Sequence, residues 1–311
     1  MSLDFWPLET FCSHKFERPH SLCDPLVPDR GDVMLHGPPE SGKTQVALTL
    51  AKAIAEGADF LNQFPCIQGK VLIVQADTPT LTFQDRLQRL KLLLAEEARG
   101  NIASLIDDSG RFDIVKAAQS KAAAIVAAQA FAPNIVVFDA LRDIHLLDEI
   151  DSRSPRIVYG ACRSLFPSAA LIYMHHDRKG NVVGKRLRDE EASGSGAWRN
   201  SIDFSWHLER YYDHEQPFKH IATLGFSKTR QSERPLPIRL EMDKESLLVE
   251  PTEMTPLQLA GIWIRKEPGM GEKEIINRLL ASEKCSRATA YRTAKRAVSQ
   301  GRLRGETKGP L

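Results

Sequence analysis

Val33-Met34-Leu35-His36-Gly37-Pro38-Pro39-Glu40-Ser41-Gly42-Lys43-Thr44 is the stretch on which the reading of this 311-residue chain turns. A short apolar run leads into a loop bounded by Gly37 and Gly42, and an alanine- and leucine-rich stretch over 44–55 has the character of a helix. The pattern is G-x-x-x-x-G-K-T between a strand and a helix, the context this motif needs. Its glycines let the backbone curl so that successive N–H groups face a phosphate, and the helix N-terminus adds its positive dipole end. Lys43 then reaches the outer phosphates, and the Thr44 hydroxyl suits a Mg2+ ion. The nucleotide-binding candidates are Gly37, Pro38, Pro39, Glu40, Ser41, Gly42, Lys43, Thr44 and Gln45.

Working outward, short β-branched runs alternate with longer helical stretches, which predicts an α/β fold with a mostly parallel twisted sheet. Strands are expected at 33–36, 70–75, 135–139, 171–175, 205–209, 220–228 and 238–242, and helices at 44–55, 82–94, 114–130 and 154–166. Little helix separates the last strands, so the far edge of the sheet is expected to be antiparallel hairpins. Residues 1–30 read as an N-terminal arm, 31–250 as the main domain, and the polar run Glu250-Pro251-Thr252-Glu253 as the boundary before a module over 255–311.

That module is basic. Residues 255–311 carry 12 Lys and Arg against 5 Asp and Glu, a balance of +7, whereas residues 1–254 carry 30 against 35, a balance of −5. Such an asymmetry points to an acidic partner, nucleic acid first, with a merely solvated face as the other reading. Three short helices are expected at 256–265, 272–280 and 287–300. Ser286 would cap the third, Tyr291, Ala294 and Val298 would form its apolar stripe, and Arg287, Arg292, Lys295 and Arg296 would face DNA. No window has the roughly 18 uninterrupted apolar residues of a membrane span, and the expected location is the cytoplasm. The five cysteines, Cys12, Cys23, Cys66, Cys162 and Cys285, include no Cys-x-x-Cys pair and are expected to be reduced thiols.

Two strand-end acids extend the chemistry. Ile135-Val136-Val137-Phe138-Asp139 offers a carboxylate to the magnesium shell, so Thr44 and Asp139 are the metal candidates. Asp77 closes the preceding strand and suits polarising a water, or else it only begins the turn before Pro79. The strand ending in His175-His176-Asp177 invites a metal reading, which alternation along a strand disfavours because neighbouring side chains point to opposite faces. Arg178, Lys179, Lys185, Arg186 and Arg188 then make a basic, glycine-containing stretch suited to phosphates, or a solvated loop.

The joint order of these motifs, with Gly194-Ser195-Gly196-Ala197-Trp198-Arg199 and Phe226-Ser227-Lys228-Thr229-Arg230 after them, resembles the RecA/DnaB-like superfamily over roughly residues 31–245. Within it the chain is most similar to the plasmid RepA-type hexameric replicative helicases and related mobile-element ATPases. The resemblance implies a RecA-like P-loop core, ATP and Mg2+ as cofactors, and catalytic roles for Lys43, Asp77, Asp139, His175, Lys228 and Arg230. Asp77 stands where the family usually has a glutamate as base, a departure that shortens the side chain by one methylene. His175 would sense the γ-phosphate, the basic stretch would grip single-stranded DNA, and Lys228 with Arg230 would reach into the next subunit of a hexamer-like ring. The tail resembles a small, all-α winged helix-turn-helix domain with a reduced wing over 301–309, serving duplex DNA or a protein partner in replication or recombination. The expected function is an oligomeric, Mg2+-dependent ATPase acting on DNA, a helicase of a plasmid, phage or other mobile element. The alternative is an ATP-switched regulator or loader that oligomerises on DNA and recruits a partner without unwinding, and a third reading is a signalling ATPase without nucleic acid.

Overall fold

The computed structural model describes residues 5–15, 20–107, 112–120, 122–177, 197–211, 220–229, 234–243, 245–253, 256–267, 270–282 and 285–306. The expected DNA-gripping residues Arg178, Lys179, Lys185, Arg186 and Arg188, the Gly194-Ser195-Gly196 turn and the finger Arg230 lie outside them.

A small antiparallel hairpin, β1 (Ser21–Cys23) and β2 (Val27–Pro28), precedes the main sheet. The sheet holds β3 (Asp32–Gly37), β4 (Val71–Gln75), β5 (Ile102–Ile106), β6 (Ile135–Asp139), β7 (Ala170–His176), β8 (Phe204–Tyr211), β9 (Ile221–Thr229), β10 (Ile238–Met242) and β11 (Val249–Glu253). Its spatial order is β11-β10-β9-β8-β3-β7-β6-β4-β5. From β5 to β8 all neighbours are parallel, and from β8 to β11 all are antiparallel. The expected far-edge hairpins are therefore present. The helices are α1 (Leu8–Ser13), α2 (Lys43–Glu56), α3 (Thr80–Leu93), α4 (Ile114–Ala117), α5 (Ala123–Ala130), α6 (Ser154–Leu165), α7 (Ala197–Asn200), α8 (Pro256–Lys266), α9 (Glu272–Ala281) and α10 (Arg287–Glu306).

Strand alternation divides the core in two. Val33, Leu35, Val71, Ile73, Ile135, Val137, Ile172 and Met174 pack with α2 and α3 on one face. Met34, Leu72, Val74, Val136, Phe138, Leu171 and Tyr173 pack with α5, α6 and Trp198 on the other. Both faces of the central strands are covered, which is why they read as continuous apolar runs. Arg163 of α6 ties the start of β3 in place, donating to Asp32 Oδ1 at 2.6 Å and to the Ala169 carbonyl.

Several expected boundaries change. The single helix expected over 114–130 is two helices, because the chain leaves the helix after Ala117, where Ser120 Oγ bonds the Ala117 carbonyl. Alanine favours helix throughout this stretch, so composition alone conceals the break. The edge strand β5, half-exposed and built on Ile102-Ala103-Ser104-Leu105-Ile106, was not expected. Glu250-Pro251-Thr252-Glu253 is edge strand β11 rather than a boundary, with Pro251 tolerated because the edge leaves one side unpaired. The arm is shorter than expected, since Leu22, Cys23, Leu26 and Val27 are buried in the main core.

The C-terminal helices enclose a core of their own from Ala260, Ile275, Leu279, Ala290, Ala294, Ala297 and Val298. Ser286 caps α10 as expected, its Oγ accepting from the Thr289 N–H at 3.3 Å. Tyr291, assigned to the apolar stripe, is instead 54% exposed, and Ala290 takes the buried place one residue earlier. Helix α10 continues through Gly301 to Glu306, so the expected wing is replaced by helix over its first six residues.

Candidate functional site

The site forms where β3, β4, β6 and β7 end together, because parallel strands present their C-terminal ends on one edge. Both loop glycines are required there. Gly42 has φ of 99°, a left-handed conformation that favours glycine, and a Cβ on Gly37 would lie 2.3 Å from the Leu208 carbonyl oxygen. Lys43 is 6% exposed and donates to the Gly37 and Pro38 carbonyls at 2.9 and 2.8 Å. Burial lowers its pKa to about 8, opposed by the charges of Asp177, Asp139 and Asp77.

Thr44 Oγ1 donates to Asp139 Oδ2 at 3.0 Å, so the two oxygens proposed for the metal are adjacent. A hydroxyl and a carboxylate are hard oxygen ligands and fit Mg2+. Burial pushes the Asp139 carboxyl up to about 7, the Thr44 hydrogen bond opposes it, and the charge of Asp77 adds to it. Gln75, the parallel neighbour of Asp139, faces the same Oδ2, and the amide orientation that satisfies both of its ends donates there at 3.1 Å and accepts from the Thr78 N–H at 2.6 Å. Gln75 thereby orients the carboxylate from beside it, a role invisible until β4 and β6 are paired in register. Asp77 is exposed on the loop after β4, near enough that its charge acts on Lys43, Asp139 and His176. At the apex of the loop, Glu40 has φ of 59° and faces Arg210 Nη1 of β8 at 3.7 Å.

The structure separates the two adjacent histidines. His175 continues the face of Leu171 and Tyr173, is 1% exposed, and lies 6.2 Å from the Trp198 ring. His176 continues the face of Ile172 and Met174, and its Nδ1 is 3.3 Å from Lys43 Nζ. His175, the residue expected as sensor, is thus the one on the face turned from Lys43. The ring facing the phosphate-binding lysine belongs to His176, and the same alternation that argued against a paired-histidine metal site selects it. Burial and then the Lys43 charge lower the pKa of His176, which leaves Nδ1 free to accept from the ammonium. His176→Ala is expected to lower kcat for ATP by about tenfold, one interaction of ~1.4 kcal/mol in the transition state, with the thermal midpoint unchanged. His175→Ala is expected to do the reverse, since it empties space beside Trp198. Steady-state kinetics and thermal melts on both variants check this.

A second feature that sequence reading missed lies on the opposite face of the sheet. Asp177 Oδ1 is 2.8 Å from His36 Nδ1 and Oδ2 is 3.2 Å from His207 Nε2, so one buried carboxylate clamps the end of β7 to β3 and to the middle of β8. Its backbone N–H also donates to the Gly37 carbonyl, which Lys43 shares. Burial raises the Asp177 pKa, but hydrogen bonds from His207 and His36 outweigh it and leave the carboxyl well below its ordinary value.

Lys228 does not extend away from its own chain as a finger. Its Nζ donates to the carbonyls of Arg199 and Asn200 at 3.2 and 3.1 Å and to that of Ile202, closing the end of α7. Carbonyls at a helix end attract a cation, and these absorb the one expected to act in trans. In the C-terminal unit, Arg287, Arg292, Lys295 and Arg296 are all exposed on α10, the last three turned away from the buried Ala290, Ala294, Ala297 and Val298 and Arg287 standing in the first turn. No helix of the described residues is long and apolar enough to cross a membrane.

Comparisons with known proteins bear on the fold that carries this site. The profile of a family described as an AAA domain matches residues 4–182. Among solved structures, one described as an ATPase domain superposes with a TM-score of 0.53 at 20% identity, over 72% of this chain and 85% of that one. A DnaB-like replicative helicase, described with its interactions with primase, superposes with a TM-score of 0.53 at 18% identity, over 72% of this chain and 59% of that one. No curated protein sequence matches the chain.

Proposed function

The chain belongs to the AAA domain family, and from that premise we propose that it is an oligomeric, Mg2+-dependent ATPase working on DNA, a helicase-like motor of a plasmid, phage or other mobile element. Its core is a RecA-like α/β P-loop NTPase. The observation that carries the DNA part is the exposed basic surface of α10, where Arg292, Lys295 and Arg296 stand away from the buried Ala290, Ala294, Ala297 and Val298 and Arg287 is exposed in the first turn. Such a face neutralises phosphates irrespective of base sequence.

In the proposed reaction, water attacks the γ-phosphorus and the bond to the ADP oxygen breaks. Loop N–H groups and Lys43 hold the phosphates, and Asp77 takes the proton of the attacking water. Thr44 and Asp139 would hold Mg2+, which when bound neutralises charge on the β- and γ-oxygens. His176, beside Lys43, reads whether the lysine is engaged by phosphate. Asp77→Asn tests the base assignment through ATP turnover.

Replacing Arg287, Arg292, Lys295 and Arg296 together by alanine is expected to weaken duplex binding and reduce the slope of log K against log salt by about 3.6, at ~0.9 per phosphate contact. Basal ATP turnover is expected to be unchanged. A salt titration of fluorescence anisotropy checks the first and a phosphate-release assay the second. Strand displacement on a forked substrate decides between unwinding and the switch reading. One observation favours the latter: Lys228 donates to carbonyls of its own chain.

A further inference from the structure

Cys23 of β1 and Cys66 are directly opposed in an antiparallel bridge. The Asp24 N–H donates to the Pro65 carbonyl and the Ile67 N–H to the Leu22 carbonyl, both at 2.9 Å. With hydrogen bonds flanking it on both sides, the Cys23 and Cys66 pair is the non-hydrogen-bonded kind, whose Cα atoms stand about 4.5 Å apart. That spacing falls inside the range a disulfide accepts, about 4.4–6.8 Å. Both thiols point to one acceptor, the Phe64 carbonyl, at 4.0 Å from Cys23 Sγ and 3.5 Å from Cys66 Sγ. Cys23 is fully buried and Cys66 half-buried, so a reagent reaches only the second from solvent. Burial and the adjoining Cys66 sulfur also raise the Cys23 pKa, which makes Cys66 the first to react.

We infer that Cys23 and Cys66 are a reversible modification site, joining as a cross-strand disulfide when the chain meets a disulfide oxidant such as oxidised glutathione. The Cys66 thiol loses its proton, and the thiolate attacks one sulfur of the oxidant, breaking its S–S bond and releasing one glutathione thiolate. Cys23 then loses its proton and attacks Cys66 Sγ in the mixed disulfide, displacing the second glutathione. Two protein thiols are oxidised and one glutathione disulfide is reduced to two thiols. The bond closes a covalent ring over residues 23–66, which contains β3, the phosphate loop and α2, and it staples the hairpin to the segment that follows α2. Cys162 takes no part, because it is buried on the opposite face of the sheet.

The test uses the full chain with Cys12→Ser and Cys285→Ser, so that other accessible thiols do not compete. After incubation with oxidised glutathione and alkylation, the expected protein is lighter than its reduced form by two hydrogens, carries no glutathione, and yields a peptide joining Cys23 to Cys66. Its thermal midpoint is expected to rise by about 5–10 °C and to fall back on reduction with dithiothreitol. Adding Cys23→Ser is expected to trap glutathione on Cys66, and adding Cys66→Ser to abolish both products. A glutathione adduct that persists on Cys66 with Cys23 intact, full alkylation of both cysteines, or a linked protein whose midpoint does not move overturns the inference.

Discussion

Lys43→Ala is expected to reduce ATP turnover by about 10²–10³-fold, the loss that follows removal of one preorganised charge from a developing oxyanion. The reason is positional. Lys43 is the first residue of α2, its stem is buried, and the carbonyls of Gly37 and Pro38 with Nδ1 of His176 hold the ammonium at the mouth of the loop. No other cation stands within hydrogen-bonding reach of these carbonyls among the described residues, and Arg210 is engaged towards Glu40. Phosphate release by the purified variant, beside wild-type protein at saturating ATP, measures the effect. Turnover within a few-fold of wild type would falsify the assignment of the loop.

Asp177→Ala is expected to destabilise the fold by about 3 kcal/mol, because it strips the buried His36 and the half-buried His207 imidazoles of the carboxylate that they share. Since the folded-state pKa of Asp177 lies below its unfolded value of about 3.9, the wild-type advantage is complete above that value. It is lost as pH falls through the folded-state pKa. Urea unfolding of both proteins at neutral pH and at progressively lower pH follows the gap. A difference under 1 kcal/mol at neutral pH, or one that widens on acidification, rejects the clamp. The same substitution also loosens the end of β7 that carries His176, so kcat is expected to fall in parallel with stability.

How much of this is legible in the sequence differs from residue to residue. The phosphate loop and Asp139 were readable because the motif and its flanking apolar runs are local, and parallel pairing then brought Thr44 against Asp139. A family resemblance names a strand end, not the face on which a side chain stands, so it does not separate His175 from His176. Nothing in Lys-x-Arg reports that three carbonyls of the same chain lie within reach of Lys228. Gln75 was passed over because its significance depends on register with Asp139, a residue 64 positions later.

The sequence by itself determined the α/β class, the place of the phosphate loop between strand and helix, most central strands, and the separate basic unit at the C-terminus. These follow from periodicity, glycine placement and local charge, all of which act over a few residues. Only the tertiary structure decided which acids, histidines and cysteines meet. Asp177 finds His36 and His207 across 141 and 30 residues, and Cys23 faces Cys66 across two segments that no local pattern joins. The physical reason is that a side chain's partner is fixed by strand order and register, and both are set by burial of the two sheet faces, a property of the whole chain.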